Sequence, residues 1–128
     1  MKNLPDFTRA MDYENDFYLS CDSTRISKIL AHYELFKMTM DIPGAIVECG
    51  VFKGASLARF AMFRELFGNT CSKKIIGFDV FGQFPETQFE ADQKIRKRFV
   101  ESAGDSGVSV EQMQRILGRA GEDRAATD

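Results

Sequence analysis

Glu48, Gly50, Gly54 and Asp79 are the residues whose types and spacing point to chemistry. Small residues at 50 and 54 let a backbone approach a ligand closely. A helix opening just after them would aim its free N–H groups and positive dipole end at the same place. An acid at the tip of the next strand accepts hydrogen bonds from both hydroxyls of a ribose. Gly50 and Asp79 lie roughly thirty residues apart, enough for loop, helix, turn and strand in one βαβ unit. Ligands of such sheets sit beyond the carboxyl ends of the strands, where all four residues would fall.

The elements that must position them are legible in the hydrophobic pattern. Ala45-Ile46-Val47-Glu48-Cys49 reads as a short buried strand and Ile75-Ile76-Gly77-Phe78, led by Lys73-Lys74, as a second. Between them a helix is predicted from Ala55 to Phe67, apolar over much of its circumference and stopped by Gly68-Asn69. Upstream, Ser23 or Thr24 would cap a helix running to about Met40. Its apolar stripe is Ile26, Ile29, Leu30, Tyr33, Phe36 and Met40. Residues 1–22 read as an arm or cap and 23–128 as one partial domain. Downstream, a charged helix is predicted over Gln88–Ser102, and the capping box Ser109-Val110-Glu111-Gln112 opens a short one to about Leu117. The tail from Gly118 has no β-branched apolar run, so the alternation stops where a third strand was due. The expected class is α/β: a helical segment, then the βαβ unit of a doubly wound parallel sheet.

The loop discriminates between nucleotides. A dinucleotide favours G-x-G-x-x-G, whose second glycine admits a pyrophosphate. Here the pattern is E-x-G-x-x-x-G, with bulky Val51 and Phe52 at that approach. S-adenosylmethionine has no phosphate, and its sulfonium and ammonium groups suit a carboxylate such as Glu48. NAD is disfavoured and stays open.

The stretches Ile46-Val47-Glu48-Cys49-Gly50-Val51-Phe52-Lys53-Gly54-Ala55-Ser56 and Gly77-Phe78-Asp79-Val80-Phe81-Gly82-Gln83-Phe84-Pro85 resemble the macrocin O-methyltransferase family. Its members are class I methyltransferases with a Rossmann-like fold that modify sugar hydroxyls, on macrolides and nucleotide-linked deoxyhexoses. The likeness spans about Arg25 to Gly118. Val80 departs from the pattern, standing where the family has a small hydroxyl residue. By position the resemblance implies that Glu48, Gly50, Gly54 and Ser56 contact the methionine end of S-adenosylmethionine. Asp79 would hold the ribose, with Val80 and Phe81 flanking the adenine. The family's magnesium ligands and catalytic base belong to a later D-x-D-x-Y stretch that this sequence does not contain. The resemblance therefore implies the N-terminal half of such an enzyme, with its catalytic residues unknown and no metal ligand of its own. A D-x-D-x-Y-like stretch encoded beyond codon 128 would mark it as a truncated or frameshifted product rather than a natural one. The alternatives are a cofactor-binding or assembly fragment without turnover, and a relative with another acceptor.

Composition narrows the partners. The 128 residues are 44% hydrophobic and 28% charged, ordinary for a globular chain. Seventeen basic against nineteen acidic residues leave a net charge of −2, with no pull toward nucleic acid or an anionic membrane. The expected partner is a small-molecule sugar, with homo-oligomerisation open. Cys21, Cys49 and Cys71 form no C-x-x-C pair, which with the absence of a signal-peptide pattern points to the cytoplasm. Cys49 reads as a small buried residue. His32 reads as a solvent-edge histidine, and Arg96, Lys97 and Arg98 as a solvated helix face. Lys53 fits either a ligand carboxylate or solvent, and Asp79 could also merely cap the segment after it. Twelve phenylalanines with no tryptophan carry no mechanism at this level.

Overall fold

The computed structural model describes residues 3–67 and 73–119. The expected stop at Gly68-Asn69, Cys71 and the end of the tail (120–128) lie outside the described residues. The N-terminal segment is helical. A 3-10 turn, Phe7–Arg9, is capped by Asp6, whose carboxylate accepts the Thr8 N–H at 3.0 Å. Helix α1, Ala10–Ser20, follows and buries no side chain. Phe7 anchors the segment, its ring 5.9 and 4.7 Å from the guanidinium groups of Arg115 and Arg119.

Helix α2, Ser23–Met38, is capped by Asp22 rather than by Ser23 or Thr24; the Asp22 carboxylate accepts the Thr24 N–H at 2.9 Å. A charged acceptor satisfies an orphan amide and also complements the helix dipole. Of the predicted stripe, Phe36 is buried and Ile26, Ile29 and Tyr33 half-buried, while Leu30 and Met40 stay exposed. The stripe is narrower than predicted because α2 packs on the following helix along an aromatic seam. There Tyr33 meets Phe63 and Phe67, Phe36 meets Phe63, and His32 stacks on Phe60.

Strand β1, Gly44–Cys49, helix α3, Ala55–Phe67, and strand β2, Lys73–Phe78, form the expected βαβ unit with parallel strands. Ile46 lies opposite Ile75, Glu48 opposite Gly77 and Cys49 opposite Phe78. A two-residue period puts Ile46, Glu48, Ile75 and Gly77 on one face and Val47, Cys49, Ile76 and Phe78 on the other. Helix α3 lies over the first face, with Leu57 buried there and Ala61 buried one turn on. Lys73 is buried at the start of β2. Its ammonium donates to the carbonyls of Thr39 and Ile42, tying the α2–β1 turn to the sheet.

Helix α4, Glu90–Ala103, and helix α5, Val110–Arg119, complete the described chain. The capping box is present in both directions. Ser109 N–H donates to Gln112 Oε1 at 2.9 Å, and Gln112 N–H to Ser109 Oγ at 3.1 Å. Helix α5 closes the core: Val51, Leu57, Val108 and Met113 are buried together, flanked by Ala58, Ile75, Phe81, Ile116 and Leu117. Among the described residues the sheet has two strands, making a mixed α/β arrangement. In that part of the chain, residues 105–108 instead lie against the loops that follow the strands, with one antiparallel bridge between Gln83 and Ser106. Among the described residues no helix is long and apolar enough to cross a membrane.

Candidate functional site

The two strands end in register and continue with the same two residue types. Val51-Phe52 follows Gly50 and Val80-Phe81 follows Asp79, and both phenylalanines adopt φ +50°. A positive φ is uncommon for a bulky residue and costs on the order of 1–3 kcal/mol unless the surroundings hold it. Asp79 holds both. Phe52 N–H donates to its Oδ2 at 2.7 Å and Phe81 N–H to its Oδ1 at 3.0 Å. Burial pushes the Asp79 carboxyl up, but amide bonds from Phe52, Phe81, Val51 and Val80 outweigh it and leave it below its ordinary value. Asp79 thus buckles the two loops together.

Residues 105–108 complete the scaffold. Gly107 N–H donates to Gly82 O at 2.9 Å and Val108 N–H to Phe52 O at 2.8 Å. The approach is close enough that a Cβ on Gly107 would lie 2.6 Å from Phe52 O. Lys53, left between ligand and solvent by its sequence, donates from its ammonium to the carbonyl of Ala103 at the end of α4. That is where a cation complements the helix dipole. Arg96 is not merely a solvated cation: it donates to Pro85 O at 2.8 Å and Phe84 O at 3.2 Å.

Beyond the carboxyl ends of β1 and β2 lies a cleft of about 440 Å³, with Gly50, Asp79 and Val80 on its wall. Phe52, Phe84 and Phe99 line its far side, with ring centroids 4.9–6.0 Å apart. These rings and the α2–α3 seam account for much of the phenylalanine content. Gly50 has φ +92°, and a Cβ there would meet nothing within 4 Å, so its glycine serves conformation and leaves the cleft wall bare.

The remaining predicted residues lie elsewhere. Gly54 is buried with φ +80°, and a Cβ on it would sit 2.6 Å from Met113 Sδ; its smallness serves α5 packing. The Phe81 side chain packs against the core cluster rather than into the cleft, although Phe52 with the same φ lines it. Cys49, expected buried, is exposed, because it falls on the uncovered face of the sheet. Glu48 and Ser56 are on the covered side. Burial pushes the Glu48 carboxyl up. The Ser56 hydroxyl, Lys28 and Arg59 work against that shift, and Asp79 adds to it. Glu48 Oε2 is buried without a hydrogen-bond partner among the described residues.

His32 is half-buried rather than at the solvent edge. Its Nδ1 lies 3.0 Å from Arg59 Nη1 and its ring stacks on Phe60 at 4.9 Å. Burial, then Arg59 and Lys28, lower its pKa from the ordinary value. Sequence reasoning missed Arg59, Gly107 and the 105–108 segment. The only local signal was the glycine spacing in Gly104-Asp105-Ser106-Gly107. Among the described residues no three His, Cys, Asp or Glu side chains converge to hold a metal ion. No family model, curated protein or solved structure matches the chain.

Proposed function

We propose that this chain is the cofactor-binding part of a Rossmann-like S-adenosylmethionine-dependent methyltransferase acting on a sugar hydroxyl in the cytoplasm. The observation that carries the reading is the cleft at the carboxyl ends of two parallel strands, walled by Gly50, Asp79 and Val80. Its place is where α/β sheets take nucleosides. Its walls fit an adenosine: aromatic rings offer apolar surface to a base, and the Asp79 carboxylate on the wall is an acceptor of the kind ribose hydroxyls donate to. Glu48, outside that lining and with an oxygen that has no hydrogen-bond partner among the described residues, would meet the cationic end of such a ligand. When bound, S-adenosylmethionine supplies an electrophilic methyl group on a sulfonium.

The chain's own part is to bind and orient. Asp79 fixes the ribose while keeping both loops in place, so ligand position and loop geometry depend on one carboxylate. Gly50 keeps side chains off the approach. Glu48, ionised, balances positive charge in a half-buried setting where Coulomb terms are stronger than in water. The described residues bring no three His, Cys, Asp or Glu side chains together and do not fit magnesium. The competing reading, a binding or assembly fragment without turnover, is favoured by the uncovered sheet face.

Calorimetric titration of the full chain with S-adenosylmethionine, its demethylated product and NAD tests the donor assignment. The two sulfur nucleosides are expected to bind and NAD to bind at least about tenfold more weakly, a difference of about 1.4 kcal/mol. Equal or tighter NAD binding would defeat the reading. A radiolabelled methyl-transfer assay on nucleotide-linked deoxyhexoses separates an enzyme from a binder.

A further inference from the structure

Helix α1 buries no side chain among the described residues, and its apolar groups form an exposed strip. Met11 and Tyr18 are seven positions apart and share a face, with Leu19 beside them. Met11 is 75% exposed and Leu19 86%. Asp12 and Asp16, four apart, run along one edge of the strip, and Glu14 borders the other. The helix holds these three acids and no basic residue.

Helix α4 also buries no side chain among the described residues. With the loop before it, α4 walls a groove of about 370 Å³ whose apolar surface includes Phe84, Pro85, Ile95 and Phe99. Ile95 is 68% exposed there. Lys94 and Arg98, four apart like Asp12 and Asp16, run along one edge of the Ile95–Phe99 row. Glu86 and Asp92 also border the groove. The helix nevertheless carries four cations, Lys94, Arg96, Lys97 and Arg98, against Glu90, Asp92 and Glu101. Among the described residues Lys94, Lys97 and Arg98 form no ion pair, and neither do Glu14 and Asp16.

The two helices are complementary. Each pairs an exposed apolar row with charges of opposite sign, and both charge rows repeat at about 6 Å along the helix axis. The groove is lined by residues between 84 and 99 alone, so α1 of the same chain is not its occupant. We propose that this groove receives helix α1 of a second copy of the chain, Met11, Tyr18 and Leu19 packing on Ile95 and Phe99 while the acids meet Lys94 and Arg98. Exchange in both directions closes a two-fold dimer and fills both grooves. It is recognition of an amphipathic helix by an apolar groove, with charge setting the partner. Phe84 and Phe99 line the cleft as well as the groove, so the docked helix bears on the cleft wall. The assignment does not depend on the methyl-donor reading.

Sedimentation equilibrium of the full chain over a range of concentrations tests it. The unmodified chain is expected to dimerise, more weakly as salt is raised. Ile95→Glu and Leu19→Glu, both at exposed positions, should each weaken the dimer by at least about tenfold. Reversing one charge row, Lys94→Glu with Arg98→Glu, should weaken it, as should Asp12→Lys with Asp16→Lys. All four changes together should restore most of the loss, which a misfolded variant could not do. A chain that stays monomeric at every concentration overturns the proposal. So does a dimer that none of these changes weakens, which places the contact on another surface such as the open sheet face. A dimer weakened by Ile95→Glu but not by Leu19→Glu, or charge reversals that fail to restore one another, overturns α1 as the occupant.

Discussion

The two faces of the β1–β2 sheet have opposite environments, and the more apolar of the two is the exposed one. On one, Ile46, Glu48, Ile75 and Gly77 lie under α3, and Gly77 is so closely covered that a Cβ would stand 2.7 Å from Val51 and 2.9 Å from Leu57. On the other, Val47 is 53% exposed, Ile76 36% and Phe78 60%. The composition of a strand says that it wants cover, and the fold decides which face receives it. A parallel sheet normally buries both faces. The covered face therefore carries the stability of the described fold, and the other is an apolar surface continuous with the cleft through Phe78.

The largest expected effect sharpens this contrast. Gly77→Val inserts branched carbon into the space of Val51 and Leu57, and should destabilise at the upper end of the roughly 1–3 kcal/mol typical of overpacking. Chemical denaturation of the two proteins measures it, and an unchanged midpoint would mean the covered face is loosely packed. Asp79→Asn tests the buckle at the sheet's end. One of its oxygens becomes an NH2 facing an N–H donor, costing about 2 kcal/mol. The Asp79 pKa is lowered in the fold, so its stabilisation is present above its ordinary value of 3.8 and lost as pH falls below it. The difference between parent and Asp79→Asn should accordingly shrink in acid.

Glu48→Gln runs the other way. A carboxyl whose pKa is raised in the fold destabilises when ionised, so the penalty is absent below its ordinary value of 4.5 and grows as pH rises through the raised value. The variant should melt higher than the parent at neutral pH and equal to it in acid, while binding the methyl donor more weakly. The smallest effect belongs to the open face. Phe78→Ala should shift stability by no more than about 0.5 kcal/mol, as for other exposed positions. A loss several times larger would show that something covers this face in solution.

How much was legible follows from how local each feature is. β1, α3, β2 and the Ser109–Gln112 capping box were readable because strand alternation, apolar helix faces and caps are written within a few consecutive residues. Glycine spacing located the loop but not the purpose of each glycine. Gly50 faces the cleft whereas Gly54 faces Met113, and only the path of α5 distinguishes them. Asp79 was legible as a strand-end acid, and its alternative as a cap is realised in its grip on the Phe52 and Phe81 amides. The partners of Lys53, Lys73, His32 and Arg59 were not legible. Each is met through backbone or side chains that come from a distant part of the chain.

The segment at 105–108 sets an order of assembly. Asp79 and Phe52 are 27 positions apart and Lys53 and Ala103 are 50 apart, so these ties close long loops and reward the chain only after its entropy has been spent. The α2–α3 seam spans 27–34 positions, comparable to Asp79 and Phe52, but it is complete by residue 67. The Lys53–Ala103 tie and residues 105–108 need nearly the whole described chain in place. The walls of the cleft should therefore form late, after the βαβ unit has gathered, because non-local contacts delay folding. Mutational kinetics would read this order directly: truncating Val108 to Ala should chiefly speed unfolding, whereas truncating Leu57 should also slow folding. For a chain emerging from its N-terminus, competence to bind would arrive only once Gly107 and Val108 have joined the loops laid down before them.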